Sequence, residues 1–176
     1  MMTSGAMIAV RPSIIVTRAD GAVVPGKYLA YWVKGTDGWR IAAYRRVRRG
    51  AGAIDDTPLA PALPAALVAP SRDAATVAGH RASVMQAERD FAGESQTIGL
   101  RAGFAKYGSA DAMNMGGPAN TGFVIGNEAI SVAVSGGAPD GPSPVNWGPE
   151  RALVASSGDL GITFGFIEPN GDPPAG

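Results

Sequence analysis

Proton transfer in a protein site needs a carboxylate or an imidazole held beside a partner, and this 176-residue chain offers few. His80 is the only histidine. It stands between Ala78 and Val84 near the start of a helical pattern, whereas a hydrolytic triad needs histidine beside a nucleophile and an orienting acid. His80 therefore reads as a surface or helix-start residue. One histidine excludes a histidine-cluster metal site, and the absence of cysteine excludes disulfides, thiol nucleophiles and thiolate ligands. Asp55-Asp56 lack the ligand spacing of a calcium loop. Gly116, Gly117 and Gly122 are not followed by the Lys-Ser/Thr pair of a phosphate-cradling loop. What remains for acid–base work is a set of scattered carboxylates, Glu88, Asp90 and Asp159. No metal and no cofactor is expected.

The charges are segregated along the chain. Residues 1–50 hold nine Lys/Arg against Asp20 and Asp37, a net of +7, and the remainder holds six against thirteen, a net of −7. Segments of opposite sign attract one another, or each attracts an outside partner. The cluster Arg45, Arg46, Arg48 and Arg49, with Tyr44 beside it, is the place where a phosphate backbone would be touched. A solvated edge strand or a surface facing the acidic half explains it better, so nucleic acid is not expected as a partner.

These groups must be positioned by the elements around them. Residues 6–17, AMIAVRPSIIVT, are rich in β-branched residues and broken by Pro12, which suits an edge strand. The run from Lys27 to Lys34 is apolar and aromatic, and Gly35-Thr36-Asp37-Gly38 supplies hairpin turn residues. The returning strand runs from Trp39 to Val47. Strict alternation puts Trp39, Ile41, Ala43, Arg45 and Val47 on one face and Arg40, Ala42, Tyr44, Arg46 and Arg48 on the other. Residues 50–74 contain four prolines, which forbid a continuous helix and predict an extended linker. Val77, Val84, Met85, Phe91 and Ala92 then recur at helical spacing, with Arg81 and Glu88 as impurities in the same stripe. Gly99 interrupts it, and a short second helix ends at Gly108. Short strands are predicted at 112–115 and 122–125, a helix capped by Asn127 over 127–134, and a strand pair around Ser157-Gly158-Asp159. The division that follows is a basic β-hairpin segment at 1–49, a Pro/Ala-rich linker at 50–74, helices and remaining strands at 75–169, and a tail at 170–176.

Three stretches carry a resemblance: GKYLAYWVKGTDGWRIAAYRRVRR, AERDFAGESQTIGLRAGFAKYG and WGPERALVASSGDLGITFGFIE. Together they resemble the cone of the nuclear transport factor 2-like (cystatin-like) superfamily, in its uncharacterised ketosteroid-isomerase-like branch. The resemblance covers roughly residues 27–49 and 75–167. It implies an α+β fold, a curved antiparallel sheet wrapped around helices with an apolar pocket between them. In that family the hairpin comes last, whereas here it comes first, and residues 6–17 duplicate the strand that should precede it. A circular permutation or a tandem-domain remnant accounts for that order. Isomerases of the superfamily place an aspartate on the strand after the helices. The matching stretch here, SADAMNMGG, has Asp111 at its mouth and Met113, Asn114 and Met115 deeper in.

The resemblance therefore implies a small-molecule-binding cone without a recognisable catalytic set. Tyr107, Asn114, Trp147 and Trp32 are its pocket candidates, and Asp90, Asp111 and Asp159 are weak acid–base candidates. The other aromatic residues, Trp39, Tyr28, Tyr31, Phe164 and Phe166, are expected mainly in core and sheet-face packing. Two alternatives stand beside this reading. One is an isomerase- or cyclase-type enzyme with a rearranged acid, and the other an assembly module acting through dimerisation. A homodimer and an unidentified small apolar ligand are the expected partners. No stretch approaches the roughly 20 apolar residues of a membrane span, and Arg11 and Pro12 spoil the opening segment as a signal peptide. The default compartment is cytoplasmic. A single sheet is expected to join residues 27–48 antiparallel to residues 160–167, either within one chain or between two.

Overall fold

The local signals of the front segment produce three strands. A computed structural model describes residues 6–17, 19–53, 66, 68–137 and 140–171. Strand β1 (Ala6–Thr17) pairs antiparallel with β2 (Val23–Gly35), which pairs antiparallel with β3 (Gly38–Arg48). The β1–β2 register breaks between Arg11 and Ile14, around Pro12, which has no N–H to give the ladder. Thr36-Asp37 is a two-residue turn closed by the Gly35–Gly38 pair.

The β2–β3 register overturns the simple alternation expected for β3. Tyr31 faces Ala43, but Trp32 faces Ile41, so Ala42 is an extra residue on the bulged strand. Beyond the bulge the faces exchange. Trp39 and Ile41 join Tyr44 and Arg46, opposite Lys34, Trp32, Ala30 and Tyr28. On this face the Tyr28 and Tyr44 rings lie 5.6 Å apart, and Lys34 Nζ sits 5.8 Å from the Trp39 ring. Trp39, Ile41 and Tyr44 remain 40%, 51% and 54% exposed, so the β3 end of the face is uncovered.

Helix α1 (Ala74–Tyr107) starts where Asp73 accepts from the Thr76 amide at 2.7 Å and the Thr76 hydroxyl at 2.6 Å. It is not one straight rod. In a straight helix Phe91 and Phe104 would stand about 20 Å apart, yet their rings are 4.9 Å apart, edge to face. The chain reverses at Gly99, whose φ of 85° and ψ of 166° break the helix. The buried residues of α1 are all small (Ala92, Ser95, Gly99 and Gly103), and small side chains let the two limbs close on each other. Outside the crossing, Glu94 on the first limb accepts from Lys106 Nζ at 2.5 Å and Tyr107 Oη at 2.6 Å on the second.

That clasp has a pH dependence. The bonds from Lys106 and then Tyr107 hold the Glu94 carboxyl below its ordinary 4.5. In the window between the lowered folded value and 4.5 the unfolded chain binds more protons, so stability falls as the pH drops through it. The Tm gap between wild type and Glu94→Gln should therefore be full above that window and close below it. A gap that persists below that window would assign the effect to something other than ionisation.

After α1 come β4 (Met113–Asn114), β5 (Val124–Ile125), α2 (Asn127–Ser135), β6 (Val145–Val154) and β7 (Gly161–Pro169). Asn127 does not cap α2 as expected. Gly126 occupies the cap position without a side-chain bond, and Asn127 Nδ2 donates to the Ala105 carbonyl at 2.7 Å, tying α2 to α1. β6 and β7 form an antiparallel hairpin with an irregularity between Pro149 and Arg151, and the hairpin packs on α1.

The architecture is mixed α+β, with two helices and three small antiparallel sheets among the described residues: β1-β2-β3, β4-β5 and β6-β7. Within the chain, residues 27–48 do not pair with residues 160–167, so the shared sheet does not form in its within-chain version. The front sheet is held elsewhere. Its β2–β3 base meets the 117–122 loop, where the Gly50 amide donates to the Asn120 carbonyl at 3.0 Å and Lys27 is buried. Most of residues 50–74, expected as an extended linker, lie outside the described residues.

Candidate functional site

The α1 stripe is apolar except for Arg81 and Glu88, and those two impurities mark the places where chemistry collects. Glu88 lies half-buried under the β6–β7 hairpin. Its Oε1 accepts from the Trp147 indole N–H at 2.8 Å, and its Oε2 from the Thr163 hydroxyl at 3.1 Å. β6 supplies Trp147 and β7 supplies Thr163, so the carboxylate pins both strands of the hairpin to the helix. The Phe91 ring, three residues along α1, meets the Trp147 ring at 5.0 Å and the Tyr107 ring at 5.4 Å. A carboxylate and an aromatic cluster thus share one side of the first limb.

One to two turns earlier on the same stripe, Arg81 and Met85 border an open groove of about 340 Å³. Its other wall is Glu150, Arg151, Ala152 and Leu153 of β6. The floor is apolar and the rim charged. Between Pro149 and Arg151 the irregularity of β6 turns the strand where this wall begins. Gln96 fastens the far end of the hairpin, donating to the Val145 carbonyl at 3.2 Å and accepting from Asn170 Nδ2 at 2.6 Å.

Of the four pocket candidates, Trp147 and Tyr107 meet through Phe91, and none of the four lines the groove. Tyr107 is 40% exposed and its hydroxyl is occupied by Glu94. Asn114 accepts from the Gly116 amide at 2.7 Å, a local turn bond, and Trp32 stands in the front sheet opposite Ile41. The three carboxylates named as acid–base candidates are exposed and engaged close by in sequence. Asp90 accepts from Gln86 Nε2 at 2.8 Å, Asp111 from the Ser109 hydroxyl, and Asp159 from the Ser157 hydroxyl at 2.5 Å. His80 packs its ring on the turn at Gly158, where φ is +80° and a Cβ would come within 2.6 Å of the imidazole. Trp39 and Phe166, expected in packing, are 40% and 71% exposed. Among the described residues no group of three or more His, Cys, Asp or Glu could hold a metal ion.

Lys27 has no counterpart in the sequence reading beyond its charge. Its side chain is fully buried, and Nζ donates to the carbonyls of Gly122 at 2.8 Å, Asn120 at 3.2 Å and Gly117 at 3.4 Å. Burial, and then the Arg49 guanidinium, hold its pKa below the ordinary 10.5. The available signal was its place inside an otherwise apolar strand, directly after Gly26. Neither a family model nor a curated protein or solved structure matches this chain at a significant level.

Proposed function

We propose that the chain binds a small, largely apolar molecule between the first limb of α1 and the β6–β7 hairpin, with Glu88 as its polar anchor. The observation that carries this reading is the state of the Glu88 carboxylate. A carboxylate has about four acceptor positions, and the described bonds to Trp147 and Thr163 occupy two. The group is half-buried beside an aromatic cluster, so a ligand amine or hydroxyl would complete it in a partly desolvated setting. The groove at Arg81 and Met85 offers an apolar floor along the same stripe. The resemblance to the nuclear transport factor 2-like cone supports the same reading. Binding is favoured over isomerase-type catalysis because Asp90, Asp111 and Asp159 are exposed and locally bonded, so none of the three is bonded to Glu88 as an acid–base partner.

The test is a screen of aliphatic and aromatic amines, alcohols and carboxylic acids, read by thermal shift and by Trp147 fluorescence, with Trp147→Phe as the spectral control. A binder at 100 times its Kd should raise stability by about 2.7 kcal/mol. Glu88→Gln should weaken amine binding at least tenfold, because a neutral amide loses the charge-assisted bond. A screen with no stabiliser, or binders indifferent to Glu88→Gln, would refute the reading.

A further inference from the structure

We propose that two copies of the chain associate by strand addition, the outer edge of β3 in each copy pairing with the outer edge of β7 in the other. Among the described residues β3 pairs only with β2, and β7 only with β6, so each presents a row of backbone groups with no strand partner there. β1 and β6 are also outer strands, but each carries a proline at a register break, Pro12 and Pro149, which obstructs further pairing. β3 has no proline, and in β7 only the last residue is one. The two strands match in length, at 11 and 9 residues.

Among the described residues both strands also leave large apolar side chains exposed. On β3 these are Trp39, Ile41 and Tyr44; on β7 they are Phe166 and Ile167, 71% and 68% exposed. Charge selects the pairing. β3 carries Arg40, Arg45, Arg46 and Arg48 and no acid, so two β3 edges repel each other. Residues 145–169 carry Glu150, Asp159 and Glu168 against Arg151 alone, so the basic strand is drawn to the acidic hairpin. Within one chain the union does not form, because Lys27 and Gly50 fasten the front sheet to the 117–122 loop. Between two chains the exchange is reciprocal, and two equivalent contacts close a two-fold dimer with no free copy of either edge. This association is independent of whether the Glu88 site takes a ligand.

Sedimentation of the full chain at about 50 μM, in the range where specific dimers persist, should give a dimer that weakens as salt rises. Reversing the exposed arginines (Arg45→Glu, Arg46→Glu, Arg48→Glu) should give a folded monomer by circular dichroism. Mixing that variant with one carrying Glu150→Arg, Asp159→Arg and Glu168→Arg should restore a heterodimer. The chain has no cysteine, so introduced ones report geometry cleanly. Tyr44→Cys combined with Phe164→Cys or Phe166→Cys should oxidise to a covalent dimer that the single variants do not form. A monomeric wild type, a dimer indifferent to charge reversal, or a cross-link inside one chain would each overturn the proposal. So would a monomer whose arginines instead bind a single-stranded oligonucleotide.

Discussion

Gly99→Ala should cost about 3–5 kcal/mol, combining a strained backbone with a steric collision. At φ 85° and ψ 166° the residue occupies a region that side chains with a Cβ avoid, so alanine is strained before any contact is counted. A Cβ there would also collide with the Gly141 carbonyl oxygen. Neither problem can be relieved locally, because the reversal at Gly99 sets how the limbs of α1 meet. If it opens, the Phe91–Phe104 and Phe91–Tyr107 contacts separate, and with them the Glu94 clasp. The expected drop in Tm is about 10 °C, accompanied by loss of near-ultraviolet dichroism from the aromatic cluster. Gly93→Ala is the control. It lies in the helical part of α1 with nothing within 4 Å of its would-be Cβ, so it should gain about 0.5–1 kcal/mol. Equal effects from the two substitutions would show that the reversal is not what holds the limbs together.

The difference between these glycines shows where the sequence was readable. Gly99 broke a helical stripe that was otherwise continuous, and such an interruption is visible without coordinates. The turns at Thr36-Asp37 and Ser157-Gly158-Asp159 were legible for the same reason, since their residue types are demanded by local backbone geometry. The bulge at Ala42 was not legible, because nothing in the residue types requires it. It exchanged the faces of Trp39, Ile41 and Arg40, and so left apolar groups at the open edge that alternation had assigned elsewhere. Within-chain pairing between distant segments was not legible, because long-range register depends on which surface each element meets first. The front sheet met the 117–122 loop through Lys27, not β7. At the site, Glu88 was visible only as an impurity in a stripe. Its meaning came from Trp147 and Thr163, 59 and 75 residues away.

Lys27→Met should cost about 3 kcal/mol, the order expected when bonds to a charged donor are lost and their acceptors stay buried. Methionine matches the stem of lysine but cannot donate, so the carbonyls of Gly117, Asn120 and Gly122 lose the partner that draws them together. The neighbouring Gly50–Asn120 bond should then exchange its amide hydrogen faster, which localises the damage to the junction of the front sheet. Lys34→Met, on an exposed lysine beside Trp39, should stay within about 0.5 kcal/mol. The sign of the pH effect follows from the lowered pKa. Between the folded value and 10.5 the unfolded chain holds the proton that the folded chain has released, so stability rises with pH through that window. Tyr31, raised above 10.0 by its burial, pulls the other way at higher pH. Subtracting the Lys27→Met curve from that of wild type cancels Tyr31 and isolates the lysine. Because three carbonyl oxygens converge on Nζ, Lys27→Gly should recover part of its stability from added methylammonium, and none from tetramethylammonium, which has no N–H to donate. Recovery by both ions alike would mean that the site responds to charge or volume, not to hydrogen bonding, and would remove the carbonyl cage as the cause.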